Sequence, residues 1–123
     1  MTTNEIDKIL ACIGGKVTFT YPGDEGTKLG ILKDRAVFES PIDPGDIPYW
    51  SVVDLIEFKD QQEPEFIRIG YYRRKPGQHL RYGSQTAPTE PVSVWKEMLI
   101  KAAREKLWFR ELLEHVMDEL EKE

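Results

Sequence analysis

Cysteine is nearly missing from this sequence. Cys12 is the only one, so no internal disulfide can form, and a disulfide-stapled secreted scaffold is excluded. Histidine occurs twice, at His79 and His115, too sparse and too far apart for a metal site built on His or Cys. No metal or cofactor is expected. Long apolar runs are also lacking. The longest is Ile9 to Ile13, far short of the roughly 20 residues a membrane-spanning helix needs. The N-terminus, MTTNEIDKIL, has acids where a signal peptide has a basic segment and an apolar run. A cytoplasmic protein with no membrane partner is the expectation. There is no Gly-rich phosphate loop, because Gly14-Gly15 precedes a strand-like segment rather than a helix. Positive charge is in deficit, with 17 Lys+Arg against 22 Asp+Glu and a net charge of −5. That argues against a polyanion binder working through overall charge but leaves room for a local patch.

What is present describes a globular chain. Forty per cent of the residues are apolar and 32% charged, ordinary proportions for a folded domain. The length of 123 residues fits a single domain, 1–123. Thr2 with Glu5 three residues on is a capping-box pattern. Ile6, Ile9, Leu10 and Ile13 follow on one helical face, and Gly14-Gly15 ends the helix. Cys12 lies beside that stripe near the helix C-terminus and reads as a small buried or half-buried thiol. Lys16 to Tyr21 alternates as a half-buried strand. Thr27 to Lys33 and Arg35 to Glu39 read as two further strands joined by a tight bend at Asp34-Arg35. The prolines of residues 41–48 exclude a central strand or helix there. Tyr49 to Phe58 is nearly continuous in apolar residues, the mark of a strand buried on both faces. Thr89 is a good N-cap. After it, a helical stripe runs through Val92, Trp95, Leu99, Ala102 and Ala103, then through Phe109, Leu112, Leu113, Val116, Met117 and Leu120. The two stripes are out of phase by roughly 60°, which places a kink or a break near Lys106 to Trp108. The fold class is therefore α+β: an N-terminal helix, about six antiparallel strands in a meander or small open barrel, and a C-terminal segment of one kinked helix or two.

One stretch stands apart, FIRIGYYRRKPGQHLRYGSQT at residues 66–86. It reads as a hairpin turning at Lys75-Pro76-Gly77-Gln78. Five of its residues are cationic (Arg68, Arg73, Arg74, Lys75 and Arg81) and none is acidic. Taking these five from 17 leaves 12 cations against 22 acids, so a +5 ribbon is set in a −10 remainder. Tyr71, Tyr72 and Tyr82 are interleaved with the cations. Cations neutralise phosphates and aromatic faces stack on bases, which together suit single-stranded DNA or RNA. Strand alternation separates Arg68, Tyr72 and Arg74 from Ile67, Ile69, Tyr71 and Arg73. If the isoleucines face the core, then Arg68, Tyr72 and Arg74 form the exposed row. Arg81 joins that row, with Arg73, Lys75 and His79 at the rim.

Ile67-Arg68, Tyr71-Tyr72, a turn, a second strand holding Gly83, and a helix with Trp95 and Leu99 together resemble the single-stranded-DNA-binding family of positive cofactor four. The likeness covers residues 66–99. It implies a concave face carrying Arg68, Tyr72, Arg74 and Arg81, and a helix from Val92 that helps to pair two subunits. The chain departs from the family pattern where Tyr82-Gly83 stands in place of a Lys-Gly pair and where Ser84-Gln85-Thr86 lacks apolar alternation. The first and last helices have no counterpart in that pattern.

Two other classes compete with non-catalytic nucleic-acid binding. The first is a protein-interaction domain that forms a homodimer through its helices: the final helix is rich in acids and carries a wide apolar stripe. The second is a magnesium-dependent nuclease. Asp46 followed by Glu57 and Lys59 resembles the PD-(D/E)xK core, in which carboxylates hold the metal and the lysine steadies charge. That reading requires Glu57 and Lys59 on one strand face. His115, on a helix with Glu111, Glu114 and Glu119, reads as a surface ion-pair partner.

Overall fold

In a computed structural model of the chain, which describes residues 3–19, 28–40, 47–74, 77–83 and 90–122, the elements follow in the order α1 (Thr3–Leu10), β1 (Lys16–Phe19), β2 (Lys28–Glu39), β3 (Tyr49–Glu57), β4 (Glu65–Arg73), β5 (Arg81–Gly83), α2 (Val92–Glu105) and α3 (Leu107–Glu121). The class is α+β. The chain divides into two compact units, Met1–Pro88 and Thr89–Glu123. No helix among the described residues is long and apolar enough to cross a membrane.

The first unit is a five-stranded antiparallel meander in the order β1-β2-β3-β4-β5, curled into a half-barrel. Short connections between neighbouring strands favour this arrangement. Among the described residues five strands stand where about six were expected, because β2 is one strand rather than two. The expected bend at Asp34-Arg35 is a β-bulge: Leu32 pairs with Ile56 and Asp34 with Leu55, leaving Lys33 as the extra residue. A bulge shifts the side-chain alternation by one. Leu32 therefore shares a sheet face with Arg35 and Val37, although the bulge lies between them. In sequence that phase break looks like the end of one strand and the start of another.

Strand β3 is the spine of the sheet. Trp50 to Asp54 and Ile56 are buried, so both faces are covered, as its apolar run implied. On one face, Ile9 of α1 packs with Val37, Trp50 and Val52, joined by Ile6, Tyr72, Leu80 and Tyr82. We call this the α1 face. Farther along it, Leu32, Ile56 and Phe58 form a second cluster with Val17 and Phe66. Cys12 is exposed rather than buried: α1 ends at Leu10, and the thiol lies in the turn beyond it.

The second unit is a helical pair. Thr89, expected as the N-cap, lies outside the described residues, and Pro91 occupies the N-cap position of α2. The break falls at Lys106, whose extended backbone (φ −126°, ψ 111°) closes α2 and opens α3. Its N–H donates to the Ala102 carbonyl at 2.9 Å, and its own carbonyl accepts from Phe109 and Arg110. Neither Gly nor Pro is involved. The single extended residue absorbs the phase difference between the two apolar stripes. Met98, Ala102 and Phe109 are the buried residues of these helices.

Candidate nucleic-acid interface

The cations of β4 and β5 divide between the two faces of the sheet, and the division is the reverse of the expected one. Residues 50, 52, 54 and 56 of β3 face α1, so their register partners Tyr72, Gly70, Arg68 and Phe66 do so too. Arg68 and Tyr72 are therefore turned to the α1 face, while Ile67 lies opposite and is 39% exposed. The expected exposed row of Arg68, Tyr72 and Arg74 does not form. The physical reason is Asp54, which supplies a buried carboxylate at the point where Arg68 arrives.

Arg35, Asp54 and Arg68 sit directly opposite one another on three adjacent strands. Asp54 is wholly buried and Arg35 only 1% exposed. Arg35 donates from Nε to Asp54 Oδ1 at 2.6 Å and from Nη2 to Oδ2 at 3.0 Å. Arg68 donates from Nε and Nη2 to Oδ2 at 3.2 and 2.9 Å. The carboxylate thus accepts four charge-assisted bonds, one at Oδ1 and three at Oδ2. Arg35 Nη1 also donates to the Ile9 carbonyl at 3.0 Å and to the Tyr72 hydroxyl at 2.8 Å. The Tyr72 hydroxyl in turn faces Cys12 Sγ at 3.9 Å. Arg68 stacks its guanidinium over the Tyr82 ring at 4.7 Å. Tyr72 and Tyr82 meet edge to face at 5.0 Å.

This network stabilises the ionised guanidinium and the neutral phenols. Burial works against the charge of Arg35, but its bonds to Asp54, the carboxylate charge and Tyr72 outweigh burial and leave its pKa raised. Burial raises Tyr72 and Tyr82 above the ordinary 10.0, opposed in each case by a neighbouring arginine. A raised tyrosine contributes stability in full below the unfolded-state pKa, and that stability is lost as pH rises through the folded one. The share of stability contributed by these two tyrosines is therefore expected to hold level up to about pH 10 and fall beyond it. Tyr82→Phe should reduce that alkaline slope, as urea titrations on either side of the transition would show. A slope unchanged by the substitution would remove Tyr82 from the account.

Gly70 makes room for the tyrosine pair. A Cβ at this position would collide with the Tyr82 hydroxyl and come within 2.8 Å of its Cζ. Gly70→Ala is expected to cost about 1–3 kcal/mol through overpacking, read as a lower denaturation midpoint. An unchanged midpoint would mean that the ring moves aside freely.

On the opposite face, Tyr49, Arg73 and Arg81 form a register row across β3, β4 and β5. Arg73, Gln78, His79 and Arg81 line a recess of about 40 Å³. All four are exposed. Tyr71, on the same strand as Arg73, meets Tyr49 edge to face at 6.2 Å. Like charges directly opposite on adjacent strands are unfavourable, yet neither arginine has an acidic partner among the described residues. Arg74 leans the other way: its Nε lies 3.9 Å from Glu5 Oε1, and its N–H donates to the Pro48 carbonyl. Lys75 lies outside the described residues.

The nuclease residues Glu57 and Lys59 do not share one strand: β3 ends at Glu57, and Lys59 lies in the turn that follows, where the Gln61 N–H donates to the Phe58 carbonyl. Glu57 faces Lys33 at 4.0 Å, and Asp46 lies outside the described residues. No group of three or more potential ligands of the His, Cys, Asp and Glu kinds is found among the described residues. His115 lies 3.9 Å from Glu119 on the helix surface, as expected.

Arg35 and Asp54 do not stand out as candidate residues in the sequence. The available signal is Asp54 itself, an acid between Val53 and Leu55 in the most apolar strand, since a buried carboxylate needs cationic partners. No protein-family model, curated protein or solved structure matches this chain.

Proposed function

We propose that the chain is a non-catalytic binder of single-stranded nucleic acid, acting through Arg73, Arg81 and His79 at the hairpin end of the sheet. One observation carries the proposal: two arginines face each other across the β4–β5 ladder, with no carboxylate between them among the described residues. An anion placed over the pair relieves their repulsion, and a phosphate accepts from both guanidiniums. Tyr49 and Tyr71 beside the arginines supply aromatic surface for bases, which stack without regard to sequence. Arg68 and Tyr72, pointing to the α1 face, take no part in this reading.

Fluorescence anisotropy of a labelled single-stranded oligonucleotide tests it, at low and moderate salt, with a duplex control. The expected result is affinity that prefers the single strand and weakens as salt rises, because phosphate neutralisation releases counterions. Absence of binding at low salt, where non-specific attraction is greatest, would end the proposal.

A further inference from the structure

The recess at the hairpin end of the sheet is small and wholly lined by hydrogen-bond donors. Arg73, Gln78, His79 and Arg81 surround a space of about 40 Å³, and each can donate at least one N–H. A water molecule takes about 30 Å³ of liquid, so the recess admits a group of phosphate size and excludes a nucleobase. Gly77 takes the left-handed backbone (φ +72°) just ahead of Gln78 and His79, a turn that glycine makes without strain. Arg73 and Arg81 are register partners, so two fixed positive charges stand side by side. Neither has a carboxylate partner among the described residues.

We infer that this recess takes the terminal phosphate monoester of a single strand rather than an internal phosphodiester, an inference that rests on the single-strand binding proposed for the same residues. Charge selects between the two. A phosphate monoester carries about −1.5 to −2 at pH 7 and offers three acceptor oxygens. It compensates both arginines and still has an oxygen for Gln78 or His79. An internal phosphate carries a single charge on its non-bridging oxygens, which leaves one arginine of the pair uncompensated. Shape points the same way. The internal phosphate must lead its chain out of the recess on both sides, whereas the terminal one has a single ester link to place. Tyr49, the register partner of Arg73, and Tyr71 then lie beside the end of the strand, where its last bases can stack.

The test compares one oligonucleotide sequence with a 5′-phosphate, with a 3′-phosphate and with hydroxyls at both ends. Each form is labelled internally and titrated with the full chain by fluorescence anisotropy. A phosphorylated form should bind at least about tenfold more tightly than the hydroxyl form, and which form does so identifies the end that is held. Gln78→Ala and His79→Ala should each shrink that preference at least about threefold, the loss of one hydrogen bond to a charged group. Circular dichroism confirms that the variants fold. Equal binding of the three forms would overturn the inference and leave the single-strand reading in place. A preference that survives both substitutions would also overturn it, since the end would then be held elsewhere. No binding by any form would end the reading and the inference together.

Discussion

Asp54→Ala is expected to cost the first unit about 3–5 kcal/mol, the range for removing one member of a buried ion pair. The substitution leaves Arg35, which is 1% exposed, and Arg68 without their carboxylate. Neither can shed its charge, because a guanidinium does not deprotonate in proteins. The apolar clusters on either side of the row (Ile9, Val37, Trp50 and Val52 on one, Leu32, Ile56 and Phe58 on the other) offer no replacement acceptor. Water must enter, or strands must part. Since domains are typically stable by only about 5–15 kcal/mol, the loss should be visible as a large drop in urea midpoint or as poor folding. Arg35→Met should cost less, because Asp54 keeps its two bonds from Arg68. Arg68→Met should cost least, since Arg68 is the one charged member of the row that water reaches. Combining Arg35→Met with Asp54→Leu should recover much of the loss, as an apolar replacement of a buried ion pair often does. A change below about 1 kcal/mol for Asp54→Ala would place it among surface ion pairs and contradict the geometry.

The same row explains which features are legible in the sequence and which are not. Strand β3 is legible because its apolar run is unbroken by parity. The helix break at Lys106 is legible because two apolar stripes fall out of phase, a feature that needs no knowledge of what they pack against. The bulge at Lys33 reads as a turn. A phase change within one strand and a junction between two leave the same trace in sequence, and only pairing with Leu55 and Ile56 distinguishes them. The faces of β4 read inverted for a related reason. The alternation of Ile67 and Ile69 with Arg68 and Tyr72 locally favours burying the isoleucines, but burial of a charge is decided across strands. Asp54 and Arg35 lie 14 and 33 positions upstream of Arg68, and no local pattern joins them. The basic–aromatic composition of the hairpin survives this inversion because cations lie on both sides of the ribbon. Reversing the faces moves the candidate interface from Arg68 and Tyr72 to Arg73, Arg81 and His79, with Tyr71 and Tyr49 beside them.

Reversing the charge of both arginines, Arg73→Glu with Arg81→Glu, is expected to reduce single-strand affinity at least about a hundredfold, since two charge-assisted hydrogen bonds are worth about 1.5–3 kcal/mol each. The milder Arg73→Ala with Arg81→Ala separates charge from repulsion. If each arginine neutralises one phosphate, the slope of log affinity against log salt should shrink by roughly 1.4, from about 0.7 per contact on single strands. Stability should hardly change, or rise slightly, because the exchange removes a like-charge pair facing across the ladder. Arg68→Met predicts the opposite pattern, a loss of stability with affinity and salt slope retained. The two variants thus divide the ribbon by face, one side binding and the other holding the sheet. Affinity lost on Arg68→Met but kept on reversal of Arg73 and Arg81 would move the interface to the α1 face. The opposite outcome fixes it on the row that Tyr49, Arg73 and Arg81 share. Tyr71→Ala should then weaken binding by about 1–3 kcal/mol with the salt slope unchanged, as loss of stacking without loss of phosphate contact requires.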